Sequence, residues 1–180
     1  MVQFQAKEPG VEVLGDAILS TVEAMGGFRE TALRILRENG VENPQRGAWY
    51  LQQSWLDAFK QISESIGKNT LYLIGTKIPE SAVFPPDIKT IHQALASIDV
   101  AYHMNHRGGK IGSYGYTENG ERGGTFVCDN PYPDDFDRGI IEAMAKRFKP
   151  ADAIRVKVEQ DESAPSRGQG AESTTYRVSW

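Results

Sequence analysis

The apolar residues of this 180-residue chain change their period at Gly109. Before that glycine they recur every three or four positions, as on one face of a helix; after it they alternate, as on one face of a strand. Such a chain is expected to form an α+β fold. Residues 1–109 would make an N-terminal helical layer, and residues 110–180 a ββαββ antiparallel-sheet unit.

In the helical half, Leu14, Ile18, Val22 and Met25 share one face, and Gly26-Gly27 ends the run. A second helix from about Phe28 carries Ala32, Leu33 and Leu36 and stops at Asn39-Gly40. The third has one apolar stripe of Leu51, Trp55, Phe59, Ile62 and Ile66, opposite Gln52, Gln53, Lys60 and Glu64. The run Thr70 to Ile74 is too short to assign by periodicity, and Pro79 and Pro85-Pro86 are expected to bound the segment after it. Asp87 then opens a helix with the stripe Ile88, Ile91, Leu95, Ile98 and Tyr102.

Beyond Gly109, Tyr114 and Tyr116 fall on one face of a strand, Asn119-Gly120 favours a tight turn, and Thr125 to Cys128 returns. Asp134 is placed to cap a helix buried through Phe136, Ile140, Met144 and Phe148, which Pro150 ends. Ile154, Val156 and Val158 predict a strand, as do Tyr176, Val178 and Trp180, and the polar segment Gln160 to Ser173 between them reads as a mobile hairpin loop. No internal repeat or linker divides residues 1–180, whose number suits one domain.

Charged residues make up 24% and the formal net charge is −4, so the chain offers no basic field for nucleic acid. Cys128 is the lone cysteine, which excludes a disulfide within the chain and suggests a reducing, cytoplasmic setting. No window approaches the roughly 20 apolar residues of a membrane-spanning helix, and the first residues lack the pattern of an export signal.

Candidate chemistry is sparse. His103 and His106, followed by Arg107 and Lys110, could hold a metal, a haem iron or an anion, although cationic residues also suit a helix C-terminus. His92 lies on an apolar face and reads as a hydrogen-bonded boundary residue. Asp129, Asp134, Asp135 and Asp137 could serve calcium or acid–base chemistry, but helix capping explains them more simply. Gly108 to Gly112 leads into a strand and Gly115 to Gly120 lacks the lysine of a phosphate loop, so neither predicts a nucleotide site. Cys128, in an apolar strand, reads as an inert thiol.

The tryptophan-bearing helix beginning Gly47-Ala-Trp-Tyr-Leu, the run Ile98-Asp-Val-Ala-Tyr-His103, and the closing Thr175-Tyr-Arg-Val-Ser-Trp180 come one after another in a suggestive order. Together they resemble the haem-nitric-oxide-binding and 4-vinyl-reductase-like superfamily, whose fold is shared with TRAPP subunits. The resemblance covers most of the chain as layout. It implies a pocket between helices and sheet for a hydrophobic small molecule or a tetrapyrrole, with Trp55, Phe59, Tyr102, Tyr114 and Tyr116 as wall residues. His103 would correspond to the proximal haem ligand, with Arg107 beside it. The Tyr-x-Ser-x-Arg motif that grips haem propionates is absent, and Ser166 and Thr174 stand where a related branch carries cysteines. A binding or sensory role without catalysis is therefore expected, with a haem- or metal-dependent sensor or enzyme using His103, or a dimerising interaction domain, as alternatives.

Overall fold

The computed structural model describes residues 3–180. The first half runs β1 (Glu12–Leu14), α1 (Gly15–Ala24), α2 (Arg29–Glu38), β2 (Trp49–Leu51), α3 (Gln52–Ser65), α4 (Lys68–Ser81), α5 (Ile91–Met104) and β3 (His106–Arg107). The second runs β4 (Ser113–Glu118), β5 (Gly123–Asp129), α6 (Asp134–Arg147), β6 (Lys157–Gln160) and β7 (Thr174–Ser179). This is the expected α+β arrangement. The helical stripes face inward through Ile18, Val22, Trp55, Phe59, Ile62, Leu95 and Ile98, all buried, whereas Leu51 and Ile66 at the ends of the third stripe are exposed.

The four later strands form one antiparallel sheet in the order β4-β5-β7-β6. Its register aligns Tyr114, Cys128 and Thr174 in one row across β4, β5 and β7, and Tyr116, Phe126 and Tyr176 in another, and both rows face the helices. A second sheet, ordered β2-β1-β3, was not foreseen. Its strands of two or three residues are too short to show any period, and they form because β1 pairs with both others.

Several expectations need correction. The run Thr70 to Ile74 belongs to α4, and Pro79 lies inside that helix instead of bounding it. Proline removes one donor and crowds the carbonyl four residues back, here that of Gly75. The last turn nevertheless persists, because Ala82 N donates to the Ile78 carbonyl (2.9 Å) and Ser81 Oγ to that of Lys77 (3.1 Å). Helix α5 starts at Ile91, since Thr90 and Gln93 form a reciprocal capping box. Asp134 is the first residue of α6 and not its cap, which is Pro133. Ile154 is 98% exposed, and the strand expected there begins only at Lys157.

Helix α4 packs on α1, α3 and α6, while α5 lies along β4. The α4–α6 crossing is close: a Cβ on Gly75 would run into the Phe136 carbonyl oxygen, and one on Gly139 into that of Tyr72.

Candidate functional site

Where α5 ends and β3 begins, His103 and His106 take opposite directions. The buried stripe of this helix passes through Ile98 and Tyr102, so His103, the next residue, falls on the exposed side, with Nδ1 2.9 Å from the Asp99 carbonyl oxygen. Asn105 then stops the helix by donating its amide to the Ala101 carbonyl (2.7 Å), and the chain enters β3. There His106 pairs with Val13, and its ring is carried into the core.

Both nitrogens of His106 are satisfied. Nδ1 lies 2.8 Å from the Tyr102 carbonyl oxygen, which can only accept, so Nδ1 carries the proton. Nε2, left as an acceptor, receives the Tyr132 hydroxyl at 2.6 Å. The Tyr132 oxygen in turn accepts from Gln52 Nε2 at 3.2 Å. Burial outweighs the bond that Nδ1 donates to the Tyr102 carbonyl and pulls the His106 pKa down to about 4, so the ring is neutral near pH 7.

Beside this pair, where α1, α4, α5 and α6 meet β4, lies a chamber of about 40 Å³. Ala17, Ile98, Ala101 and Ile140 form its aliphatic side, and Trp55, Tyr114, Tyr132 and Phe136 its aromatic side. All of these are buried; Ala82 and Phe84, in the segment between α4 and α5, are the half-buried lining residues and mark the mouth. Asn105 pins that mouth, its amide donating to the Val83 carbonyl (2.7 Å) and its Oδ1 accepting from Val83 N (3.1 Å).

Of the residues singled out in the sequence, Trp55, Tyr102 and Tyr114 line the chamber. Phe59 packs behind Trp55, ring centroids 4.7 Å apart. Tyr116 lies further along β4, where its hydroxyl meets His92 Nδ1 at 2.7 Å, and burial pushes its pKa up to about 12. Arg107 is on the outer side, its Nε 2.6 Å from Glu12 Oε2 and its guanidinium 4.2 Å above the Trp49 ring. Neither it nor His103 reaches the chamber.

A second buried cluster joins the sheet unit together. Arg167 donates Nη2 to Asp137 (2.5 Å) and Asp134 (2.8 Å), and Nη1 to both oxygens of Asn130 (2.7 Å each). Tyr114 donates its hydroxyl to Asp137 at 2.5 Å, and Thr174 donates to Asp134 at 2.7 Å. Burial raises the Asp137 pKa against the pull of Arg167, Tyr114 and Asn130. The segment read as a mobile loop is thus anchored by a buried arginine, and Ser166 and Thr174 lie within that anchorage. The Asp cluster is neutralised within the protein: Lys7 meets Asp129 and Arg138 meets Asp135. Among the described residues no group of three or more His, Cys, Asp or Glu side chains is arranged to hold a metal. Tyr132 and Arg167 escaped sequence reasoning because one lies between two prolines and the other in a polar segment, where no period signals burial.

No protein-family model and no curated protein matches the sequence. The fold, however, is similar to solved H-NOX structures. A doubly substituted Tt H-NOX aligns with a TM-score of 0.64 at 14% identity, over 93% of this chain and 95% of that one. The S. oneidensis H-NOX in its Fe(II)NO state aligns at 0.61 and 8% identity, over 91% and 97%. A variant of the unliganded Fe(II) H-NOX from K. algicida aligns at 0.62 and 11% identity, over 92% and 95%. The chain has an H-NOX-like fold along nearly its whole length.

Proposed function

We propose that this chain is a small-molecule-binding or sensory module without catalysis of its own, and that its ligand enters the chamber between the helical layer and the sheet. The observation that carries this reading is the chamber itself, an apolar space at the junction of the two halves of an H-NOX-like fold. Side chains that could do chemistry are otherwise engaged. Cys128 is buried, and burial pushes its thiol pKa well above the ordinary value. Asp137 is bonded to Arg167 and Tyr114, and both His106 nitrogens are held.

The iron-bearing H-NOX structures raise the question of haem. A haem needs an open ligand nitrogen, cations for its propionates and space for the macrocycle. Anchoring Nδ1 on a carbonyl is how proteins orient a ligating imidazole, but Nε2 of His106 is taken by Tyr132. No lysine or arginine lines the chamber, and its roughly 40 Å³ is far below the ~300 Å³ at which pockets begin to take drug-sized molecules. At Tyr132-Pro-Asp134-Asp-Phe136 the tyrosine of the propionate motif recurs, with Asp and Phe at the spacing of its Ser and Arg. The residues present do not fit a haem.

The test is native mass spectrometry of the purified protein together with a 250 to 700 nm absorption spectrum. A colourless protein that carries an added organic mass, or binds a small molecule at the chamber, supports the reading. A Soret band lost in His103→Ala or His106→Ala would replace it with a haem sensor.

A further inference from the structure

We propose that the occupant of the chamber is an uncharged, apolar molecule of a few heavy atoms, held directly by side chains and not through a haem. This rests on the ligand-binding reading above and adds the class of ligand.

Size sets the first limit. A volume of about 40 Å³, against the ~10–15 Å³ that a single water molecule needs, leaves room for a molecule of a few heavy atoms. A tetrapyrrole, a nucleotide or a fatty acyl chain is too large. A short hydrocarbon or a dissolved gas is not.

Polarity sets the second. The polar groups at the wall are turned to partners in the protein. Tyr102 donates its hydroxyl to the Ile111 carbonyl (2.7 Å), Tyr114 donates to Asp137, and the Tyr132 hydroxyl lies between His106 and Gln52. Asn105 is occupied by Val83 and Ala101. Among the described residues Gln52 Oε1 is a buried acceptor without a partner, but Gln52 does not line the chamber. A guest therefore finds aliphatic and aromatic surface and no free hydrogen-bonding group. Water gains little in such a space, which is the kind that stays dry and takes xenon or small hydrocarbons. Charge is excluded for the same reason, since no lining side chain carries one and a bare ion in an apolar interior is strongly disfavoured.

Access is compatible with this class. Ala82 and Phe84 are the half-buried residues of an otherwise buried lining, which places the mouth at their segment.

Xenon is the probe. Methyl NMR spectra of the full chain under rising xenon pressure should show saturable shifts at Ala17, Ile98, Ala101 and Ile140, and none at the exposed Ile154. Ala101→Leu should abolish them, and Ala82→Leu at the mouth provides a second variant should the first fail to fold. Saturable shifts confined to chamber methyls establish the site in the wild-type protein even if neither variant folds. Absence of shifts, with a larger organic mass carried by the purified protein, overturns the ligand class and leaves the binding reading standing. Absence of both overturns both. Stoichiometric haem uptake that depends on His106 overturns the haem-free proposal.

Discussion

Arg167 Nη2 lies 2.5 Å from Asp137 Oδ2, and both side chains are fully removed from solvent. The pair ties the segment between β6 and β7 to α6, and through the Tyr114 hydroxyl on the other oxygen of Asp137 it reaches the chamber wall. Burying two charges is costly, and here the cost is offset by further bonds: Asn130 and Tyr114 donate to Asp137, and Arg167 donates to Thr174 and Asp134. Arg167→Ala would leave the Asp137 carboxylate buried without its cation. We expect a loss of about 3–5 kcal/mol in urea denaturation, together with faster amide exchange across residues 161–173. Unchanged stability would show that the pair is dispensable.

The Tyr132 hydroxyl has two buried neighbours, His106 Nε2 at 2.6 Å and Gln52 Nε2 at 3.2 Å. Tyr132→Phe leaves both without a partner while keeping the ring, so the expected loss is about 1–3 kcal/mol with no cavity created. Nitrogen NMR of His106 should report the Nδ1–H tautomer in the wild-type protein and in the variant, because the Tyr102 carbonyl bond that fixes it remains. An Nε2–H tautomer in the wild-type protein would contradict the assigned direction of the Tyr132 bond.

Burial holds His106 near pKa 4 in the folded protein, against an ordinary value of 6.5. Between those values the unfolded chain binds a proton that the folded chain does not, so stability falls as pH drops from about 6.5 toward 4. The slope for this one group approaches 1.4 kcal/mol per pH unit inside that window and vanishes above it. Carboxylates contribute their own losses at lower pH. The comparison that isolates the histidine is therefore wild-type protein against His106→Asn, with denaturation midpoints taken at pH 7.5 and 5. The wild-type protein should lose more, and equal losses would mean that His106 is already protonated or exposed in the fold.

The long elements were legible because their burial is periodic. The stripe from Trp55 to Ile62 and the alternation at Tyr114 and Tyr116 each identify a buried face, and the structure buries or half-buries them accordingly. The site was legible only in part. Trp55, Tyr102 and Tyr114 belong to such faces, whereas the choice between His103 and His106 depends on where α5 stops and on the pairing of β3 with β1, a two-residue contact without a pattern of its own. Arg167 was hidden for the opposite reason. A polar segment rich in Gly and Ser predicts exposure, and only the carboxylates on α6, distant in sequence, give an arginine there a reason to be buried.

The crossing of α4 and α6 supplies a test of the packing that encloses the chamber, to which these helices contribute Ile78, Phe136 and Ile140. Gly75 and Gly139 sit at the contact, where each helix meets the other's backbone carbonyls and no side chain intervenes. In a helix interior glycine is disfavoured by about 1 kcal/mol relative to alanine, so on propensity alone Gly139→Ala should stabilise. Packing opposes it: the added methyl would meet the Tyr72 carbonyl oxygen and the Thr76 backbone nitrogen, atoms that cannot swing aside as a flexible side chain could. Overpacking of this kind costs about 1–3 kcal/mol or more, which outweighs the propensity gain. Gly139→Ala is expected to lower the melting temperature and, by pushing α6 away from α4, to change the chamber's xenon response. A gain in stability with the xenon response intact would show that the helices are not in backbone contact in solution.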